Sequence, residues 1–231
     1  PCRAALKNAQ GEPAFIPHRP ILAEDKVLFV GQAIAAVVAQ TPEQAVDAVE
    51  AIELSVDDLP ACSDLSGALN PDTLPIHDTR SDNLCVHFEQ GSAADVDQAL
   101  ASGAYRISVN LVNNRVVPSP LEPRATLVEP ANEGFKLCNP SQGALGQRAV
   151  LAKVFSLPAD QIRVISPDTG GGFGVRGEVH SEVCVAAFAA MALNKPIKYT
   201  GDRSEMFLSD NHGRDNLTEV TGSFDTDGNL L

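Results

Sequence analysis

The sequence predicts an α+β fold. Strand-like and helix-like segments mix along the chain without the regular alternation that produces a doubly wound parallel sheet. No internal repeat divides its 231 residues. With 44% apolar and 20% charged residues the composition is that of an ordinary globular protein, and at roughly 150 residues per domain the length suggests one or two domains.

The first part of the chain predicts strands and one helix. Lys26–Val30 and Ala33–Ala39 are rich in β-forming residues and are predicted as strands. Thr41-Pro42 is typical of a helix start, and apolar residues recur at helical spacing through Glu43–Ile52. Leu54–Val56 is predicted to return as a third strand.

The second part follows a predicted linker. Residues 61–82 contain many Asp, Ser, Pro and Asn residues without a periodic pattern, which is typical of a connecting segment. Beyond it, three helices are predicted. Ala93–Leu100 lies between the cap residue Ser92 and Gly103, Ala144–Phe155 shows helical spacing of its apolar residues, and Val179–Leu193 is alanine-rich all round. The predicted strands are Tyr105–Val117, Ala125–Glu129, Gly134–Cys138, Gln161–Ser166 and Ile197–Thr200. Leu217–Phe224 is predicted to belong to a strand pair with a turn at Asp225–Gly228.

The chain is acidic, with 17 Lys and Arg residues against 30 Asp and Glu residues and a formal net charge of −13. Such a surface repels phosphate backbones, so nucleic acid is not an expected partner. The longest apolar runs, Ala33–Ala39 and Val183–Leu193, are shorter than the roughly 18 residues of a membrane span, and no signal-peptide pattern is present; a soluble, cytoplasmic protein is predicted. Five cysteines without a C-x-x-C pair predict buried, reduced thiols.

The most unusual stretch is the glycine-rich run before the last predicted helix. Four of the five residues from Gly170 to Gly174 are glycines. A backbone without side chains lets a ligand approach closely, and successive amides leading into a helix can bind phosphate or another oxyanion without a lysine. The alternative interpretation is a glycine-rich turn that only allows close packing.

Two nucleotide-binding motifs compete for this run. A P-loop is excluded because Gly174-Val175 lacks the Lys and the hydroxyl residue that the motif requires. Gly172–Gly177 does match G-x-G-x-x-G between a strand-like run and a helix, so an NAD- or FAD-dependent oxidoreductase is a second interpretation. Against it, Pro167–Gly171 intervenes between the strand and the motif, and Phe173 is bulky.

Several collinear motifs resemble one enzyme family. Pro167–Gly174 resembles the molybdopterin loop of the molybdenum hydroxylases, the xanthine dehydrogenase and aldehyde oxidase superfamily. The other motifs are most similar to the large subunits of aerobic carbon monoxide dehydrogenases and their relatives. They are Val30–Ala39, Asp58-Leu59-Pro60, Asn114-Arg115, Pro118–Ala125, Asn139–Gln142, Lys195–Lys198, Asp202–Glu205 and His212–Asp215.

The resemblance implies a domain organisation. Residues 1–60 would form the C-terminal part of an α/β hammerhead domain, and residues 83–231 the N-terminal part of the molybdopterin-binding domain, with 61–82 as the linker between them. A chain of this length would then be a partial large subunit.

The resemblance also implies a set of site residues. Gln142 would hydrogen-bond an oxo group of the molybdenum centre, and Gln142 and Phe173 would lie near the metal without being its ligands. The residues implied in cofactor binding are Gln142, Gly171, Gly172, Phe173 and Gly174. No catalytic residue is expected in this chain, because the carboxylate base of the family lies later in the sequence. Gly177 stands where purine-oxidising members carry a glutamate, so a purine is not an expected substrate.

Charged residues in two of the motifs are assigned structural roles. Arg124 with Glu122, and Arg203 with Glu205, are expected to form buried charge pairs that hold the loops around the cofactor.

The implied function is that of a molybdenum-dependent hydroxylase or dehydrogenase acting on an aldehyde, an N-heterocycle or carbon monoxide, with water as the oxygen source. The implied cofactor is molybdenum-molybdopterin, with the cytosine dinucleotide as one candidate form. Iron–sulfur clusters and FAD would lie on partner chains: an iron–sulfur small subunit and an FAD-binding medium subunit. The remainder of the large subunit is a further partner, and the complex is expected to be a homodimer. A non-catalytic assembly module of such a complex is the third interpretation.

Overall fold

The computed structural model describes residues 6–231. The helices are α1 (Pro42–Glu50), α2 (Ala93–Ser102), α3 (Ala144–Phe155), α4 (Ser181–Leu193) and α5 (Arg203–Ser209). The strands are β1 (Tyr105–Asn113), β2 (Ala125–Ala131), β3 (Gly134–Cys138), β4 (Ile162–Ile165), β5 (Ile197–Thr200) and β6 (Asn216–Phe224). The chain divides into two compact units: the first contains residues up to Arg19, Asp58–Val116 and Arg214–Leu231, and the second contains Pro20–Asp57 and Val117–Gly213. The mixed content confirms the predicted α+β class.

The second unit is built on a four-stranded sheet in the order β4-β3-β2-β5. β2 and β3 form an antiparallel hairpin, with Leu127 opposite Cys138 and Ala131 opposite Gly134. β5 pairs antiparallel with β2, and β4 pairs parallel with β3 after the crossover through α3. The end of β4 leads directly into the glycine-rich run.

The core of the second unit lies where α4 packs against this sheet. Val128, Phe135 and Leu137 of the sheet are buried, together with Ala187 and Ala190 of α4. Fully burying a large apolar side chain such as Phe135 stabilises a fold by about 1.5–3 kcal/mol. The small alanine side chains allow α4 to lie close to the sheet, which fixes the segment that precedes this helix.

The first unit contains the antiparallel pair β1 and β6, which runs from Tyr105 opposite Phe224 to Asn113 opposite Asn216. α2 starts after Ser92, whose Oγ accepts a hydrogen bond from the Asp95 amide at 3.3 Å. Every residue of β1 is exposed. A two-stranded sheet of this kind is marginally stable without a covering layer.

Most elements predicted for the second part are confirmed. α3 has the predicted bounds, and β2 and β3 form the predicted hairpin. The turn at Asp225–Gly228 forms, with the Gly228 amide donating to the Asp225 carbonyl at 3.2 Å. The partner of β6 is β1, more than a hundred residues earlier along the chain.

The strands predicted within residues 26–56 are wrong. Lys26–Val30, Ala33–Ala39 and Leu54–Val56 pair with no strand in the described part of the chain. The first two are joined by a turn in which the Gln32 amide donates to the Phe29 carbonyl at 3.2 Å. A strand needs a partner that accepts its backbone hydrogen bonds, and β propensity alone does not provide one. The helix predicted after them forms as α1, with the Thr41 hydroxyl as its N-terminal cap.

Residues 61–82 contain turns but neither helix nor strand. The Asp64 carboxylate closes one of these turns, accepting from the Ser66 and Gly67 amides at 3.3 and 3.0 Å. The boundaries at residues 60 and 82 stay a prediction. Within residues 6–231, no helix combines the length and the apolar character that a membrane crossing requires.

The described cysteines are free, as predicted, but only Cys184 is fully buried. Cys62 and Cys138 are half-buried, and Cys85 is exposed. Cys2 lies outside the described residues.

Candidate cofactor-binding site

The glycine loop, Pro167–Gly174, connects β4 to one turn of 3₁₀ helix at Val175–Gly177. Its backbone is left-handed at Gly171 (φ +105°), Phe173 (φ +48°) and Gly174 (φ +97°). Glycine adopts this conformation freely. For an L-residue such as Phe173, the left-handed conformation costs roughly 1–2 kcal/mol. The Phe173 side chain is 72% exposed, so burial of the ring does not offset the strain. Strained residues that gain nothing from packing are typical of ligand sites.

Gln142 lies directly against the glycine loop. Its Oε1 accepts from the Gly174 amide at 2.9 Å, and its own amide donates to the Arg176 carbonyl at 3.1 Å. A Cβ on Gly172 would lie 2.5 Å from Gln142 Cδ, so glycine at this position lets the Gln142 side chain keep its place against the loop. The structure therefore brings the predicted residues Gln142, Gly171, Gly172, Phe173 and Gly174 together in one place.

Three consecutive amides of the loop have no acceptor within the described residues: those of Gly171, Gly172 and Phe173. The amides on either side are occupied, because Gly170 donates to Glu122 and Gly174 donates to Gln142. Successive N–H groups around left-handed residues form a nest that binds anions without a positively charged side chain. Their arrangement suits an anionic ligand such as a pterin phosphate in a chain of net charge −13.

Glu122 and Arg176 both hold the loop. Glu122 was expected to hold a loop through a pair with Arg124, whereas no such role was predicted for Arg176. Glu122 Oε2 accepts from the Gly170 amide at 2.7 Å, and Arg176 Nη2 donates to the Glu122 carbonyl. Burial lowers the pKa of Arg176, and the Glu122 charge offsets part of this shift. Arg176 is only 4% exposed although it lies within a glycine-rich motif, and the sequence pattern carries no signal of that burial.

Arg124 does not pair with Glu122 as expected. Its Nε donates to Glu182 Oε1 at 2.5 Å, its Nη1 to Asp210 Oδ1 and its Nη2 to Ser209 Oγ at 2.7 Å. Burial by itself lowers the pKa of Arg124, but the charges of Glu182 and Asp210 more than offset it and raise the pKa. This buried network joins the start of β2 to α4 and to the end of α5.

Arg203 and Glu205 do not form the expected charge pair with each other, because each binds other partners. Arg203 donates to the Pro120 carbonyl at 2.5 Å and to the Leu121 carbonyl. Glu205 Oε2 accepts from the Tyr199 hydroxyl at 2.5 Å. Arg203 does hold a loop, as expected, but through backbone carbonyls.

A small cavity of about 10 Å³ lies behind the glycine loop, lined in part by Arg124, Thr126, Arg176 and His180. Such a volume holds about one water molecule and excludes a pterin. His180 Nε2 lies 2.9 Å from the Val175 carbonyl oxygen, and burial lowers its pKa. Nowhere in residues 6–231 do three His, Cys, Asp or Glu side chains gather so that they could hold a metal ion. The exposed face of the glycine loop is therefore the candidate site.

The dinucleotide interpretation of Gly172–Gly177 finds little support in the geometry. That motif requires a helix that starts within the glycine run and points its N-terminus at the pyrophosphate. Here Val175–Gly177 is a single 3₁₀ turn, and α4 starts only at Ser181.

Two family matches cover most of the chain. Residues 76–231 match the molybdopterin cofactor-binding domain. Residues 4–60 match the α/β hammerhead domain of aldehyde oxidase and xanthine dehydrogenase. These matches favour the molybdopterin interpretation over the dinucleotide one.

Individual relatives agree with the family matches. The chain is 34% identical over 221 residues to the 6-hydroxypseudooxynicotine dehydrogenase complex subunit gamma of Paenarthrobacter nicotinovorans, covering 92% of this chain and 26% of that protein. It is 29% identical to the carbon monoxide dehydrogenase large chain of Hydrogenophaga pseudoflava, covering 91% and 28%. Its structure resembles that of quinoline 2-oxidoreductase from Pseudomonas putida 86, with a TM-score of 0.83 at 28% identity, covering 92% of this chain and 27% of that one. The chain spans about a quarter of the length of these relatives. It belongs to the molybdenum hydroxylases, within the hammerhead and molybdopterin-binding regions of their large subunit.

Proposed function

We propose that the glycine loop and Gln142 form one wall of the cofactor site of a molybdenum-dependent hydroxylase or dehydrogenase. The observation that carries the proposal is a set of three consecutive amides, at Gly171, Gly172 and Phe173, that have no acceptor among residues 6–231 and lie beside the side chain of Gln142. They offer donors to the anionic groups of a pterin. When bound, the molybdenum cofactor supplies oxygen-atom transfer and two-electron redox chemistry.

Gln142 contributes a hydrogen-bond donor to this site. Its Oε1 is engaged by the Gly174 amide, which leaves the Nε2 group for the ligand. The amide of a glutamine donates through Nε2 only, so Gln142 would hydrogen-bond an oxo oxygen of the metal centre. The exposed ring of Phe173 lies on the same loop and would form an apolar wall near the metal without binding it.

The proposed reaction inserts an oxygen atom from water into the substrate. For a C–H bond, substrate and water give the hydroxylated product, two protons and two electrons; carbon monoxide and water give carbon dioxide, two protons and two electrons. The substrate class is an N-heterocycle, an aldehyde or carbon monoxide. N-heterocycles are favoured, because the relatives include a quinoline 2-oxidoreductase and a nicotine 6-hydroxylase large subunit. The catalytic base would lie in the remainder of the large subunit.

The proposed partners are the remainder of the large subunit, an iron–sulfur small subunit and an FAD-binding medium subunit, in a homodimeric cytoplasmic complex. The names of the relatives support a multi-subunit enzyme, since they are a complex subunit gamma, a large chain and a large subunit. The exposed apolar residues of β1, such as Ile107 and Val112, support a further protein layer over the first unit. The proposal includes the cytosine dinucleotide as a candidate form of the cofactor.

The proposal is tested on the intact protein that contains this chain, purified with its partner subunits. Molybdenum is measured by elemental analysis, the pterin by fluorescence after oxidation, and turnover by dye reduction with quinoline, an aldehyde and carbon monoxide. We expect about one molybdenum and one pterin per chain, together with turnover of one substrate class. A preparation with all partner subunits but without molybdenum would show instead a non-catalytic assembly module, and enhanced NADH fluorescence on binding would support the dinucleotide alternative.

A further inference from the structure

The segment Pro120–Glu122 lies alongside the start of the glycine loop. The Glu122 amide donates to the Gly170 carbonyl at 3.1 Å, and the Gly170 amide donates to Glu122 Oε2 at 2.7 Å. A Cβ on Gly170 would lie 2.6 Å from the Glu122 Cβ, so this two-point contact requires glycine. Glu122 thereby holds both backbone polar groups of Gly170, the residue that directly precedes the three free amides.

Two guanidinium groups hold this segment in turn. Arg203 donates to the carbonyls of Pro120 and Leu121, and Arg176 donates to the carbonyl of Glu122. Three consecutive carbonyls are thus bound by two arginines. Because a guanidinium group is planar and its donors diverge at fixed angles, such contacts fix the orientation of the segment.

The contacts close into a ring around the loop. Glu122 holds Gly170 at one end, and Gln142 Oε1 holds the Gly174 amide at the other. The Gln142 amide donates to the Arg176 carbonyl at 3.1 Å, and the Arg176 side chain returns to Glu122. The amides of residues 171–173 lie between the two fixed ends. A carboxylate at this place adds negative charge near an anion site, so electrostatic attraction of the ligand does not explain it.

We propose that Glu122 is a positioning residue, which acts through Gly170 to hold the free amides of the glycine loop in their binding conformation. This inference rests on the proposed function for the nature of the ligand, and on the hydrogen-bond ring alone for the conformation of the loop. In this role Glu122 would act through Gly170 without contacting the cofactor itself.

The test compares three variants of the intact complex. Glu122→Ala removes the acceptor of the Gly170 amide, and Glu122→Gln keeps a neutral acceptor of nearly the same shape. Glu129→Ala is the matched control, since Glu129 is also a half-buried glutamate but lies within β2 and pairs with Lys136 at 2.5 Å. Hydrogen exchange of single amides is followed by mass spectrometry with fragmentation, and molybdenum content is measured on the same samples.

We expect exchange at the Gly170 amide to rise about tenfold or more in Glu122→Ala and by a smaller factor in Glu122→Gln, because a charged acceptor binds an amide more strongly than a neutral one. Molybdenum content should fall in the same order, and Glu129→Ala should match the wild type in both readouts. If Glu122→Ala does not assemble, Glu122→Gln provides the test: faster exchange of the Gly170 amide and a lower molybdenum content than in the wild type support the proposal, and wild-type values of both overturn it.

The two proposals fail in different ways. Wild-type exchange and molybdenum content in Glu122→Ala would overturn the positioning role while leaving the proposed function intact. If the wild-type complex contains no molybdenum but the Gly170 amide exchanges faster in Glu122→Ala than in the wild type, the proposed function is overturned and the role of Glu122 in holding the loop is supported.

Discussion

Gly172→Ala should separate the stability of the fold from the function of the site. The added Cβ would lie 2.5 Å from Gln142 Cδ and 2.7 Å from both Cγ and Oε1. Contacts this short do not persist, so one group must move. Gln142 is exposed, and its side chain can swing into solvent, whereas Gly172 lies on a loop fixed at both ends. The expected result is a displaced glutamine on an otherwise intact fold.

The magnitude follows from the bonds that this movement breaks. Loss of the 2.9 Å bond between the Gly174 amide and Gln142 Oε1 should destabilise the fold by about 0.5–1.5 kcal/mol. Replacing glycine by alanine restricts the unfolded chain and offsets about 0.4–1 kcal/mol of this loss. The two nearly cancel, so the thermal midpoint should change little. The hydrogen bond from Gln142 to the cofactor would be lost as well, and a bond to a charged group contributes about 1.5–3 kcal/mol, or tenfold to hundredfold in rate.

The assay measures turnover per bound molybdenum and the thermal midpoint of the intact complex. Gly67→Ala is the matched control, because its Cβ would meet Asp64 only at ordinary distances of 3.4 Å and longer. We expect Gly67→Ala to retain wild-type turnover and Gly172→Ala to lose at least tenfold. In combination with Gln142→Ala the Gly172 change should have almost no further effect, since both act through the same side chain. Wild-type turnover per molybdenum in Gly172→Ala, or full additivity of the two losses, would refute this reasoning.

Three further predictions concern the groups behind the loop. Arg124→Met should destabilise the second unit by about 3–5 kcal/mol, because it removes the partner of the buried Asp210 carboxylate and of the largely buried Glu182 carboxylate. Arg115→Met removes a more exposed pair and should change stability by less than about 1 kcal/mol. Soluble yield and thermal midpoint report both changes, and equal effects would contradict the buried network. Because burial lowers the pKa of His180 below the roughly 6.5 of a free imidazole, the unfolded chain takes up this proton first on acidification. The free energy of unfolding should therefore fall as the pH drops from about 7 to 5, by at most about 1.4 kcal/mol per pH unit for this group, and the thermal midpoint should fall with it. A His180→Gln variant with an equally steep fall would disprove the contribution of His180. Burial raises the pKa of Cys184 to about 12, so iodoacetamide at pH 8 should modify the exposed Cys85 and leave Cys184 unmodified in peptide mass spectra of the native protein; comparable labelling would show that α4 opens.

Local patterns predicted the elements whose contacts are local. α3 and the β2–β3 hairpin follow from residues close together in sequence, and both have nearly the predicted bounds. The segments Lys26–Val30 and Ala33–Ala39 show the opposite case, because a strand depends on a distant partner that the pattern does not identify. α5 was missed although its start carries a local signal: Asp202 Oδ1 accepts from the Glu205 amide at 2.7 Å, which is the arrangement of a helix cap.

The candidate site was partly predictable for the same reason. Four glycines within five residues are a local signal, and Gln142 was placed beside them by the resemblance of Asn139–Gln142 to the family motif. The partners of Arg124 were not predictable, because Glu182 and Asp210 lie 58 and 86 residues away along the chain. A charged residue within a motif predicts that a partner exists. Which residue is the partner depends on the tertiary fold.

The glycine loop departs from the local consistency of the surrounding fold. Several groups that hold the loop do have partners: Arg203 donates to two backbone carbonyls, and Glu122 accepts from the Gly170 amide. In the loop, a phenylalanine adopts a left-handed conformation with its ring exposed, and three amides in succession lack an acceptor in the part of the chain that the structure describes. Local conflicts that the rest of a fold tolerates are expected at functional sites. A ligand with several acceptor atoms resolves this conflict by binding those amides, which is why the loop suits an anionic cofactor even in a chain of net charge −13.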